Sequence, residues 1–101
     1  MESRANYKVY NVTATTDEQT LILVDDSSVV RSSGYIQIRN TAGQTASLIL
    51  TTQENKVADF DSDNKTISLA NGSSFDDSLE VLSIKYKTAA GTATLEVYVS
   101  W

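Results

Sequence analysis

Side chains that change character at every second residue constrain this chain more than any other feature. From Ala93 onward, Leu95, Val97, Val99 and Trp101 alternate with Thr94, Glu96, Tyr98 and Ser100. Successive side chains of an extended strand point to opposite faces, so this run predicts a strand with one face in a core and the other turned away. Ahead of it, Leu82, Ile84 and Tyr86 alternate with Ser83, Lys85 and Lys87. The linking Thr88-Ala89-Ala90-Gly91-Thr92 carries a glycine where a hairpin turn needs positive φ, so the two runs are expected to pair as an antiparallel hairpin.

The middle of the chain has the same form. Ile36 and Ile38 alternate with Gln37 and Arg39, Asn40-Thr41-Ala42-Gly43-Gln44 makes a turn, and Ala46, Leu48 and Leu50 line the return strand. Gly43 stands seven residues after Ile36, as Gly91 stands seven after Ile84, which predicts two equivalent hairpins. Shorter strands are expected at Tyr7 to Thr13, Thr20 to Asp25, Lys56 to Phe60 and Thr66 to Ala70. Clusters of Asp, Asn, Ser and Gly part them, ending strands through local side-chain hydrogen bonds. Thr16-Asp17-Glu18-Gln19 fits a helix capping box, but Leu21-Ile22-Leu23-Val24 behind it is too short and unbroken for an amphipathic helix. A strand is expected there instead.

About seven or eight antiparallel strands with regular turns predict an all-β fold: a single immunoglobulin-like β-sandwich, with a small β-barrel or a jelly roll as the alternative. Residues 1–6 are polar and read as a flexible N-terminal arm, and residues 7–101 as one domain. The chain has no proline, so its edge strands must be protected by charge, by bulges or by a partner.

At 101 residues, 41% of them hydrophobic and 21% charged, the chain is large enough for a packed core and lies far from the composition of disorder. It has no cysteine, so neither disulfides nor thiolate metal sites are available to it. Met1 to Asn6 have neither the basic start nor the apolar stretch of a signal peptide, so the chain reads as beginning at its own first residue and secretion is not expected. No apolar run approaches the roughly 20 residues that cross a bilayer as a helix. A net charge of −5 with scattered Lys and Arg argues against nucleic acid, and Lys85 with Lys87 reads as a solvated strand face.

The absence of histidine and cysteine removes Ser-His and Cys-His nucleophilic sites and imidazole or thiolate metal centres. Gly34, Gly43, Gly72 and Gly91 stand singly at turns, without the spacing of a phosphate-binding loop. Carboxylate pairs remain, but a glycosidase needs a deep cleft that a chain this small does not promise. No enzyme activity and no cofactor are expected. Asp59, Asp61 and Asp63 have the alternate spacing that opens a calcium loop, yet Asn64 stands where glycine is needed and Ala70 where the closing Glu belongs. An acidic turn is therefore the primary reading of this segment and calcium the alternative; Asp25-Asp26 and Asp76-Asp77 are also read as turns. Of the aromatic residues, Tyr86 and Trp101 alternate with core positions, whereas Tyr98 shares the opposite face with Glu96 and Ser100 and is a candidate for contact with another molecule.

The segment from Tyr35 to Leu48 resembles the strand-turn-strand of immunoglobulin-like domains of bacteria and their phages, and Leu95-Glu96-Val97-Tyr98-Val99 resembles their last strand. The Cys pair of antibody-type domains is missing. In size, strand number and lack of catalytic residues the chain is similar to small virion proteins of tailed phages. That resemblance implies a non-catalytic structural protein that decorates or cements a capsid, or forms part of a neck or tail. It also implies manufacture in the host cytoplasm, residence in the virion, and binding to capsid or tail subunits as a homo-oligomer, with a trimer among the options. Arg4, Asn6, Val29, Val30, Arg31, Tyr35 and Tyr98 are the interface candidates under this reading. The competing expectation is a carbohydrate-binding or adhesion module, in which the tyrosines supply flat surfaces for sugar rings.

Overall fold

The computed structural model describes residues 7–23, 34–52 and 66–100. Eight strands run through them: β1 (Tyr7–Ala14), β2 (Gln19–Ile22), β3 (Tyr35–Gly43), β4 (Ala46–Thr51), β5 (Ile67–Leu69), β6 (Ser74–Asp77), β7 (Ser83–Thr88) and β8 (Ala93–Ser100). They form two four-stranded antiparallel sheets that pack as a sandwich, the first in the order β1-β8-β3-β6 and the second in the order β2-β7-β4-β5. Among the described residues no helix is long and apolar enough to cross a membrane.

The expected sandwich and strand number are present, but the two expected hairpins are not. β3 pairs with β8 and β6, β4 with β7 and β5, and β7 with β2 and β4, so neither β3–β4 nor β7–β8 is a pair. Instead each of these segments crosses from one sheet to the other, and the two lie side by side. Tyr35 to Gly43 runs against Ser100 to Ala93, and Ala46 to Thr51 continues against Thr88 to Ser83. The β1–β2 segment flanks this ribbon on one side and β5–β6 on the other, so four long antiparallel segments fold over together at one row of corners. This is the strand order of an eight-stranded jelly roll, the alternative named above. In the immunoglobulin arrangement the first two strands share a sheet, whereas here β1 and β2 belong to different sheets. Alternation reports which way a side chain faces, not which strand lies beside it, and a corner asks for the same positive-φ glycine as a hairpin.

The inward positions form one core. Ile36, Ile38, Leu95, Val97 and Val99 of the first sheet meet Leu48, Leu50, Leu69, Ile84 and Tyr86 of the second, all buried. Each such side chain contributes about 1.5–3 kcal/mol through removal from water. Tyr86 places its ring in the core and its hydroxyl 3.2 Å from Oε1 of Gln19, and burial pushes its ionisation upward. Ile49 departs from the alternation. It points away from Leu48 and Leu50, in register with Lys85, yet is 0% exposed, so the outward side of β4 is covered at that point.

Where strands change sheets the regular ladder stops, and the freed backbone groups need other partners. The corners supply them to one another. Thr88 N donates to Thr15 O at 2.8 Å, Gln44 N to Thr92 O at 2.8 Å, and Gly72 N to Asn40 O at 2.8 Å, joining all four corners in a row. A bulge at Thr41 lets β3 bend towards its corner, and the Thr41 hydroxyl donates to Thr94 O at 3.3 Å. Among the described residues the buried polar side chains are Asn40 and Thr88, and both belong to this row.

Ser74–Asp77 is a strand, not the turn expected of Asp76-Asp77. Its polar composition suits a sheet edge, where only Phe75 packs against the core while Asp76 stays exposed. The expected strand at Lys56 to Phe60, the arm at residues 1–6 and the inward-facing Trp101 lie outside the described residues.

Candidate interaction surface

The outward face of the β1-β8-β3-β6 sheet is built by the second phase of the alternation. Register places Tyr7, Val9, Asn11 and Thr13 of β1 beside Ser100, Tyr98, Glu96 and Thr94 of β8. Tyr35, Gln37 and Arg39 of β3 lie on the other side of β8, with Asp76 and Ser74 of β6 beyond. Three tyrosines from three adjacent strands therefore meet at one end of the face. The Tyr7 and Tyr98 rings stack with centroids 5.7 Å apart, and Tyr35 meets Tyr98 edge-on at 6.1 Å. Tyr98 and Tyr35 are half-buried by this packing, while Tyr7 is 63% and Val9 41% exposed.

Two side-chain contacts engage the charged groups that the described residues place on this face. Arg39 Nε lies 3.4 Å from Glu96 Oε1 across β3 and β8, and the Tyr35 hydroxyl donates to Asp76 Oδ2 at 3.2 Å. Loss of solvent around the Tyr35 phenol, followed by the nearby Asp76 carboxylate and the hydrogen bond to it, raises its pKa above the ordinary tyrosine value. Beyond the tyrosines the face deepens into an open groove of about 450 Å³ lined by Gln37, Arg39, Asn40, Thr41, Gly72, Ser73 and Ser74.

Asn40 anchors the floor of that groove from within. Its Nδ2 donates to Gln44 O at 2.8 Å and Leu69 O at 2.9 Å, while its Oδ1 has no protein partner. An Asn40→Asp substitution turns both donations into oxygen facing oxygen in a buried setting. It is expected to cost about 2–4 kcal/mol at neutral pH, measured by thermal or urea unfolding. Burial raises the pKa of the new carboxyl above its unfolded value of about 3.9. The folded state then binds the proton more tightly, so the added penalty is absent below that value and grows as pH rises through the folded pKa.

The edges of this sheet carry a second feature. β1 is an eight-residue edge strand, the longest edge among the described residues, since β2, β5 and β6 have four, three and four residues. The usual protections of an edge are sparse on it. It has no proline, and its one charge, Lys8, folds back to 5.0 Å above the Tyr10 ring on the core-side face.

Of the interface candidates read from sequence, Tyr35 and Tyr98 do come together, joined by Tyr7, which the alternation left unassigned. Its strand is apolar in both phases, Tyr7 and Val9 on one face and Tyr10 and Val12 on the other, so only the register with β8 separates them. Arg4, Asn6, Val29, Val30 and Arg31, and the calcium candidates Asp59, Asp61 and Asp63, lie outside the described residues. Among the described residues, no three His, Cys, Asp or Glu side chains gather into a metal-holding cluster.

No protein-family model matches the chain, and no curated protein matches it in sequence. Among solved structures, it is similar to a chain of the Bacillus endospore appendages, described as a family of disulfide-linked pili. The TM-score is 0.52 at 16% identity, over 94% of this chain and 85% of that one. At that identity the likeness is one of fold.

Proposed function

We propose that this protein is a structural subunit that associates with copies of itself, with strand β1 as the principal contact. The observation that carries the reading is the long, weakly protected edge at Tyr7–Ala14. An edge strand presents a row of unpaired N–H and C=O groups to any strand that approaches in its plane, and pairing there adds hydrogen bonds without demanding a deep pocket. The fold shared with a pilus protein supports the same class of role. Because the 101 residues hold no cysteine, contacts between copies of this chain do not use the disulfide links of those pili. Self-association was part of the virion expectation; nothing in the comparisons bears on its other parts, the capsid or tail partner and the virion location.

An open polymer needs two different surfaces on each copy, whereas pairing of β1 with β1 of a second copy closes into a two-fold dimer. Sedimentation velocity over a concentration series, with negative-stain microscopy of the densest samples, separates these outcomes. The wild-type protein is expected to grow beyond the monomer. Val9→Lys, which places a charge in the middle of the edge, should raise the dissociation constant by about tenfold or more while leaving the melting temperature nearly unchanged. A protein that stays monomeric up to about 1 mM, or a Val9→Lys variant that assembles like the wild type, overturns the reading.

A further inference from the structure

We propose that the tyrosine cluster and the polar groove beside it form one binding site for an uncharged glycan chain, lying across the outward face of β1, β8, β3 and β6. The proposal goes beyond self-association and does not depend on it, because edge pairing uses backbone groups in the plane of the sheet and leaves the face open.

The shape and chemistry of the face select this ligand. At one end Tyr7 keeps most of its ring in solvent and is held by stacking on Tyr98, which Tyr35 buttresses from the next strand. The π-face of such a ring is electron-rich and attracts the slightly positive C–H groups on the flat side of a pyranose. From Tyr35 the same outward row of β3 continues through Gln37 and Arg39 to the groove, where Thr41, Ser73 and Ser74 add hydroxyls. At about 3.3 Å per residue, Tyr35 to Thr41 spans roughly 20 Å, enough for several linked sugars. An amide, a guanidinium and three hydroxyls match the alternating donors and acceptors of sugar hydroxyls.

Two observations favour a neutral sugar over other occupants. Arg39 is paired with Glu96, and Asp76 accepts from the neutral Tyr35 hydroxyl and keeps its negative charge, so among the described residues the face offers no free cation to an anionic ligand. A protein partner, in turn, draws its binding energy from an apolar anchor in an apolar pocket, and this groove is lined by polar side chains.

The test uses the full 101-residue protein at a dilution where sedimentation shows monomer. It is titrated with cellohexaose, xylohexaose, maltohexaose and mannohexaose up to about 1 mM while backbone and Gln37 side-chain amides are followed by NMR. At least one oligosaccharide should shift signals of Tyr35, Gln37, Arg39, Ser74 and Tyr98. Tyr7→Ala and Gln37→Ala should each weaken that binding by about tenfold. Both positions are outward-facing, and the amide spectrum of each variant reports whether it is folded. If no oligosaccharide moves any signal, or the shifts map elsewhere, the site is wrong. If Tyr7→Ala alters only the association state, the face belongs to a second copy of the chain and the proposal falls.

Discussion

Gly43→Ala is expected to lower the melting temperature by about 15 °C or more, a loss of about 3–5 kcal/mol, while Gly72→Ala lowers it by only a few degrees. Both glycines have positive φ, +101° and +86°, so each substitution carries the strain of a side chain in a left-handed backbone. The difference lies in what a Cβ would meet. At Gly72 nothing lies within 4 Å. At Gly43 the Cβ would sit 2.3 Å from Thr92 O and 2.9 Å from Ala93 Cα, both backbone atoms of the neighbouring corner. Relief would mean separating the β3–β4 corner from the β7–β8 corner and breaking the bond from Gln44 N to Thr92 O. Gly91→Ala falls between the two, because its Cβ meets the Gln44 side chain, which has room to rotate. Calorimetric or circular-dichroism melts of the three variants check the order. Equal losses at Gly43 and Gly72 would mean that the corners are not packed on one another.

The second large effect is expected from neighbours on opposite faces of β4. Leu48→Ala and Ile49→Ala should each cost about 2–4 kcal/mol in denaturant unfolding, whereas Ser47→Ala should stay within about 0.5 kcal/mol. Leu48 is in the central core and 0% exposed, and removing its side-chain carbons leaves a cavity that the two sheets can fill only in part. Ile49 is the sharper case. Strict alternation assigns it to solvent, where truncation to Ala would be nearly neutral, yet it is also 0% exposed. A loss at Ile49 comparable with that at Leu48 therefore reports a second buried patch on the outward side of the β2-β7-β4-β5 sheet. A near-neutral Ile49→Ala would contradict its burial.

Much of the candidate surface could be read from the sequence at Tyr98, where a tyrosine shares a phase with Glu96 and Ser100 on a strand whose other phase is wholly apolar. At Tyr7 it could not, because both phases of β1 are apolar. The groove is legible nowhere in the chain, since Gln37, Arg39, Ser73 and Ser74 are brought together by the pairing of β3 with β6, more than thirty residues apart in sequence. β6 itself was hidden for a related reason: Ser-Phe-Asp-Asp carries little apolar signal because an edge strand has little to bury.

Local order along the chain was enough to show that this is an all-β fold, where most strands run and which face of β3, β7 and β8 enters the core. These follow from the two-residue period of an extended backbone, a property each segment carries by itself. Strand partners were decided only by the tertiary structure. Whether Gly43 and Gly91 close hairpins or turn corners depends on how two distant segments lie against each other, and both outcomes place the same residues in the same conformation. The folded ribbon, its stitched corners and the surface spread across four strands all arise from that long-range choice.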